Sequence, residues 1–271
     1  MPELPEVERA ARRIRKAVVG QTISRMTLVH PALRRRVPQR ALASLRGHRI
    51  AAVEQRAKHQ LLVLDDGRSI HVHFRMAGDW AIDHVGDELP RSARAAIDLE
   101  NGKRLLLVDP RALSAIALLA KGETPFSALG PDPSSAEFDA SFAAALARRS
   151  IAVKPALLDQ RVAAGVGNIY AVEALWEARI GPATPAKSLS VSEVKALAGA
   201  IRVVLDRGRV GGRRYREGDA SLRVYDREGE PCARCGTSIE RIVQAGRSTY
   251  FCPGCQIRVK ASAKRRAPGG R

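Results

Sequence analysis

The chain has 271 residues, with 46 basic against 28 acidic side chains and a formal net charge of +18. At about 150 residues per domain this length holds roughly two domains and a small appendage, and an apolar content of 45% excludes a disordered chain. No apolar run approaches the roughly 18 residues that cross a bilayer, the start MPELPEVERA is not a secretory signal, and aromatics at 4% argue against a multi-base stacking platform. The charge itself points to a polyanionic partner, most economically nucleic acid.

Residues 5–19 carry Val7, Ala10, Ala11, Ile14, Ala17 and Val18 at helical spacing, with Pro5 at the start and Gly20 as a stop. From 22 to 120 the pattern changes to short β-rich runs. Gln60–Leu64 and Ser69–Phe74 flank Asp65-Asp66-Gly67-Arg68, and Ala95–Leu99 and Arg104–Val108 flank Asn101-Gly102, so two hairpins of an antiparallel sandwich are expected. A Gly-, Pro- and Ser-rich stretch from Lys121 to Ala136 reads as a linker. Helical periods return over Phe138–Arg149, Lys154–Val162 and Asn168–Arg179, and Ser190 and Glu193 have capping-box spacing ahead of a further helix. A Gly- and Arg-rich loop over Gly208–Gly218 precedes a small β-rich unit, and residues 259–271 form a basic tail.

All four cysteines lie in one pattern, Cys232-x2-Cys235-x16-Cys252-x2-Cys255. Two such knuckles present four thiolates to one tetrahedral zinc ion, with no open position for catalysis, so one structural Zn2+ is expected. Between the knuckles Arg247 falls at the expected turn, where a zinc-braced hairpin can hold one cation in place. At the other end, removal of the initiator methionine would leave Pro2 as a secondary amine beside Glu3. An α-amino group titrates near 7.7–8, so part of it is a neutral nucleophile at physiological pH. Such an amine attacks an aldehyde-like carbon to give a Schiff base, with Glu3 as a general acid or base beside it.

Four segments together, MPELPEVE, Lys154-Pro-Ala-Leu-Leu-Asp-Gln160, Gly165-Val-Gly-Asn-Ile-Tyr-Ala171 and the cysteine pattern, span nearly the whole chain. In this order they resemble the formamidopyrimidine-DNA glycosylase family, related to endonuclease VIII. The resemblance implies an α+β multidomain fold: an N-terminal antiparallel β-sandwich flanked by helices (1–125), a helix–two-turn–helix domain (135–222) and a four-cysteine zinc finger (223–258). It implies a bifunctional glycosylase and abasic-site lyase acting on oxidised purines, with β,δ-elimination, on double-stranded DNA holding a damaged base or abasic site. A monomer in the cytoplasm of a prokaryotic cell is expected, with no membrane partner.

The same resemblance makes Pro2 the nucleophile at the sugar C1′ and Glu3 the acid that assists ring opening. Lys58 becomes a lysine near the DNA phosphate linked to β-elimination, and Arg247 the cation gripping phosphates that flank the lesion. Asn168 and Lys154 fall near the DNA backbone, with Gly165 and Gly167 letting amides reach a phosphate at a helix N-terminus. Met76 and the pair Arg111 and Leu113 would fill the gap left by the flipped base. Three departures stand out. Leu113 occupies a position where phenylalanine is expected, Ser92 one where a histidine is expected, and the stretch 213–223 is roughly ten residues shorter than the lesion-capping loop of oxidised-purine enzymes. The short stretch leaves open excision of oxidised pyrimidines, as in endonuclease VIII, and a non-catalytic zinc-dependent binder of damaged DNA is the alternative from another class.

Overall fold

The computed structural model describes residues 2–34, 37–210 and 222–256. The first helix, α1 (Leu4–Val18), buries Val7, Ala10, Ala11, Ile14 and Val18 along one stripe, as the sequence period implies. Each large apolar side chain buried this way contributes about 1.5–3 kcal/mol. The chain then runs through β1 (Ile23–Leu28), the short helices α2 (Pro31–Arg34) and α3 (Gln39–Ala43), and β2 (Ile50–Arg56) to β3 (His59–Leu64). It continues through β4 (Ser69–His73), β5 (Asp79–His84), β6 (Ala93–Leu99), β7 (Lys103–Val108) and β8 (Ala115–Leu119). These strands form two four-stranded antiparallel sheets, ordered β1-β6-β7-β5 and β2-β3-β4-β8. The expected sandwich and both hairpins are present. Val53, Leu62, Ile70 and Val72 from one sheet meet Met26, Trp80, Ile97 and Leu107 from the other, and the α1 stripe completes this core.

A second core is helical. It holds α4 (Phe138–Ala147), α5 (Val153–Leu158), α6 (Asn168–Glu177) and α7 (Val191–Val210). Leu4, at the head of α1, is buried in this core, whereas Val7 one turn later is buried in the sandwich. The start of α1 therefore sits where the two cores meet. The Ser190 capping box forms as expected: the Ser190 amide donates to Glu193 Oε2 at 2.7 Å and the Glu193 amide to Ser190 Oγ at 3.3 Å.

Two helix limits differ from the sequence expectation by more than two residues. The helix expected over Lys154–Val162 stops at Leu158, because the Val162 amide turns back onto the Asp159 carbonyl at 2.8 Å. The helix α7 continues through Gly208 instead of opening a loop there. A Cβ at Gly208 would lie 2.2 Å from the Tyr170 hydroxyl, so this glycine serves close packing of α7 on α6.

The last unit is the hairpin of β9 (Glu240–Gln244) and β10 (Arg247–Phe251) with the cysteine knuckles below it. It is fixed to α6 by Arg234, whose guanidinium lies 3.6 Å from the Trp176 ring centroid and donates to the Trp176 and Glu177 carbonyls. Among the described residues no helix is long and apolar enough to cross a membrane.

Candidate active site and nucleic-acid interface

Pro2 and Glu3 precede α1 at the junction of the two cores. Pro2 lines a cavity of about 140 Å³ with Glu6, Arg9, Arg13, Phe74 and Asp79. Glu3 is fully buried, and its carboxylate accepts the amides of Gly167 (2.7 Å), Ile169 (2.9 Å) and Tyr170 (3.4 Å). These are unpaired donors of the first turn of α6, so the helix N-terminus stabilises the carboxylate as it would an external anion. This corrects the expectation that the amides beside Gly165 and Gly167 meet a DNA phosphate. The Gly167 amide is taken by Glu3, and the Gly165 amide donates to Gln160 Oε1 at 3.0 Å. The glycines are needed for another reason: Gly165 has φ +90°, and a Cβ on Gly167 would collide with the Glu3 carboxyl.

Lys58 follows Ala57 (φ +53°) in the tight turn between β2 and β3, and its Nζ donates to the Val166 carbonyl at 2.9 Å. It is therefore a buried cation facing Glu3 and not a solvated surface charge. Burial lowers the Lys58 pKa while Glu3 opposes the shift. Burial raises that of Glu3, against Lys58 and the Ile169 amide, which favours a protonated carboxyl. Lys154 is fully buried at the start of α5, and its Nζ has no hydrogen-bond partner among the described residues. Burial, with Arg247 adding repulsion, brings it down to about 8.

Asn168 opens α6 and donates from Nδ2 to the Ser248 carbonyl at 3.0 Å, tying that helix to the β9–β10 hairpin. The hairpin turns through Ala245 and Gly246, both with positive φ, which leaves Arg247 exposed at its tip. Arg247 bears on both Lys58 and Lys154 electrostatically, so the three cations converge. Below the turn, the sulfurs of Cys232, Cys235, Cys252 and Cys255 all lie within 4.8 Å of one another, and none is in a disulfide. The separations of 3.4 Å and 3.8 Å (Cys235–Cys252 and Cys232–Cys255) fit the roughly 3.8 Å edge of a tetrahedron with Zn–S near 2.3 Å. The Arg234 and Cys255 amides point at sulfurs, as suits thiolates. The donor set thus fits zinc in a purely structural role.

Met76 and Leu113 are among the exposed apolar side chains, at 40% and 47%, on the β4–β5 and β7–β8 loops. Arg111 is also exposed. The second loop is shaped by Asp109, a fully buried residue that the sequence did not single out. Its carboxylate accepts the amides of Arg111 (3.0 Å), Leu113 (2.7 Å) and Ser114 (2.7 Å).

Three family models match the chain in order: the formamidopyrimidine-DNA glycosylase N-terminal domain over residues 1–116, the formamidopyrimidine-DNA glycosylase H2TH domain over 129–215, and the zinc finger found in FPG and IleRS over 229–257. The chain belongs to the formamidopyrimidine-DNA glycosylase family. The enzyme of that name from Chloroflexus aurantiacus is 42% identical over 272 residues, covering 95% of this chain and 98% of the relative. That of Novosphingobium aromaticivorans is 39% identical, covering 94% and 100%. Among solved structures, Lactococcus lactis formamidopyrimidine-DNA glycosylase bound non-covalently to abasic-site DNA superposes with a TM-score of 0.88 at 30% identity, covering 94% of this chain and all of that one. MutM in complex with DNA containing carbocyclic 8-oxoguanine gives 0.88 at 30% identity, covering 95% and 100%.

Within this family's architecture, Pro2, Glu3, Lys58, Lys154, Asn168 and Arg247 come together although they derive from both cores and the zinc unit. Residues that the sequence reading did not assign to the site complete the cluster. Glu6 accepts the Glu3 amide (2.9 Å) and the Tyr170 hydroxyl (2.8 Å), a link for which the spacing of Glu3 and Glu6 was the available clue. Glu173 is buried and receives the amides of Arg223, Val224 and Tyr225. Of the shortened stretch 213–223, residues 213–221 lie outside the described residues, so Arg223 marks where the described chain has just resumed. Ser92 accepts the Asp109 amide through its carbonyl at 2.8 Å.

Proposed function

We propose that this protein is a bifunctional DNA glycosylase and abasic-site lyase that removes oxidised purines in base-excision repair. The observation that carries this reading is the fully buried Glu3 carboxyl, held by three α6 amides next to Pro2 and facing Lys58. A merely DNA-binding protein has no use for a buried acid beside an N-terminal secondary amine. With Met1 removed, the Pro2 amine attacks C1′ of the flipped nucleotide, the C1′–base bond breaks, and the departing base takes the bonding pair. Glu3 gives a proton to the ring oxygen, the sugar opens, and an iminium links C1′ to Pro2. Loss of a C2′ proton then expels the 3′ phosphate by β-elimination, and a second elimination removes the 5′ phosphate. Lys58 and Arg247 act on the phosphates around the reacting sugar, and Lys154 and Asn168 belong to the same DNA-facing cluster. Met76, Arg111 and Leu113 occupy the gap in the stack.

Duplex DNA bearing a damaged base or abasic site is the partner, bound by a monomer in the cytoplasm. One zinc ion on the four cysteines keeps the hairpin of Arg247 in shape. The test is excision and nicking of duplexes holding 8-oxoguanine, formamidopyrimidine, thymine glycol or an abasic site. Cleavage of the two purine lesions and the abasic site is expected. Cleavage of thymine glycol alone among the bases would move the substrate to oxidised pyrimidines, and binding without cleavage would leave only a damage-binding role.

A further inference from the structure

Beside Lys58 the sheet carries three histidines for which the chemistry above has no use. The β3–β4 register pairs His59 with His73, and His71, two residues earlier, lies on the same face. His59 Nδ1 and His71 Nε2 are 2.9 Å apart. Their rings are nearly parallel (17°) with centroids 5.1 Å apart, and the nitrogen contact spans more than half of that distance. The rings therefore meet end to end through one N–H···N bond. No metal ion fits between nitrogens so placed, but one added proton turns the contact into a charge-assisted imidazolium–imidazole bond. His73 packs edge-on against His59 at 4.8 Å, and its Nδ1 accepts the Arg75 amide at 3.0 Å, so its neutral ring carries the proton on Nε2.

The charges that bear most on these rings are all positive. Arg75 follows β4, and Lys58 sits in the turn before β3. Arg56 of β2 lies over the Phe126 ring, whose edge meets His59. Burial and these cations hold His59 near 4 and His73 near 3, and lower His71. The cluster is thus neutral in the free protein at pH 7 and lacks only a counter-charge. It adjoins Lys58 on one side, and Met76 follows three residues after His73.

We propose that His59, His71 and His73 are a proton-accepting part of the DNA interface: a duplex backbone seated against them supplies the missing negative charge, and binding takes up a proton shared between His59 and His71. The inference rests on the reading that Lys58 and Met76 face DNA. It makes affinity fall as pH rises, by up to about tenfold per pH unit while a full proton is taken up.

The experiment is calorimetric titration of the zinc-loaded protein with a duplex containing a tetrahydrofuran abasic analogue. It is run at pH 6 in two buffers of different ionisation enthalpy, and dissociation constants are collected from pH 5.5 to 7.5. Net uptake of 0.5–1 proton is expected at pH 6, well below the range where Lys154 titrates. His59→Phe with His71→Phe should abolish the uptake, flatten the pH profile and reduce the salt dependence of binding at pH 6 by up to about one phosphate contact. Should that variant misfold, His59→Gln alone serves, since it breaks the proton-sharing pair and keeps a polar group. Binding with no proton uptake, or uptake that survives in the folded variant, overturns this inference and leaves the glycosylase reading standing. Absence of any binding to the analogue overturns both.

Discussion

An alanine at Gly167 would place its Cβ 2.3 Å from Cδ of Glu3 and 2.5 and 2.7 Å from the two carboxylate oxygens. The backbone there is extended (φ −126°, ψ −159°), which any residue adopts, so the obstacle is contact alone. Glu3 is fully buried and cannot retreat without leaving the amides of Gly167, Ile169 and Tyr170. A buried amide left without its acceptor costs about 1–3 kcal/mol, so losing two such bonds, with partial relaxation, costs about 2–4 kcal/mol. A general acid displaced by an ångström forfeits about 10²–10³-fold in rate. Single-turnover excision from an 8-oxoguanine duplex should fall by that factor in Gly167→Ala. The dissociation constant for a tetrahydrofuran duplex should change by less than about threefold, because the Val166 carbonyl holds Lys58 and the β9–β10 hairpin holds Arg247. Excision within about threefold of the parent rate by a folded variant would refute the role given to the Glu3–α6 contact.

Three further outcomes follow from the geometry. Lys154 titrates at about 8 in the native chain against about 10.4 when unfolded, so between those values the unfolded state binds more protons and stability rises with pH. Lys154→Met should remove that rise between pH 8 and 10 in thermal melts, stabilise the protein by about 1–3 kcal/mol at pH 7, and weaken DNA binding. Asp109→Asn leaves one acceptor oxygen where three amides converge, which should cost about 2–4 kcal/mol in urea melts and slow base flipping read by 2-aminopurine fluorescence. Cys252→Ser, or chelation of the zinc, should release the Arg247 hairpin and weaken duplex binding at least about tenfold, while circular dichroism shows the β-sandwich intact.

What the sequence revealed was local. Turn residues and alternation marked the hairpins at Asp65–Arg68 and Asn101-Gly102, and fixed spacing marked the four cysteines. The Ser190–Glu193 cap lay within one helical turn and formed as read. The centre of the site was not visible in this way. Glu3 and Gly167 are 164 residues apart, and no periodicity connects a carboxylate at one end of the chain with the amides of a distant helix. The family resemblance placed Pro2, Glu3 and Lys58 in one reaction, but assigned the α6 amides to phosphate. The fold gives them to Glu3, because the head of α1 is buried at the foot of α6. The resemblance put Lys154 near the DNA backbone, but its full burial depends on the packing of α5 and was not legible in the sequence. The histidine cluster needed the β3–β4 register, which brings residue 59 opposite residue 73.

The central claim is that Pro2 forms the covalent bond to DNA. Reaction of protein whose N-terminus is verified as Pro2 with an 8-oxoguanine duplex in borohydride, followed by digestion and mass spectrometry, tests it most directly. The account expects one trapped adduct on the N-terminal peptide, at the Pro2 nitrogen. An adduct mapped to Lys58 or Lys154, or no adduct with any purine lesion or abasic duplex, would contradict it.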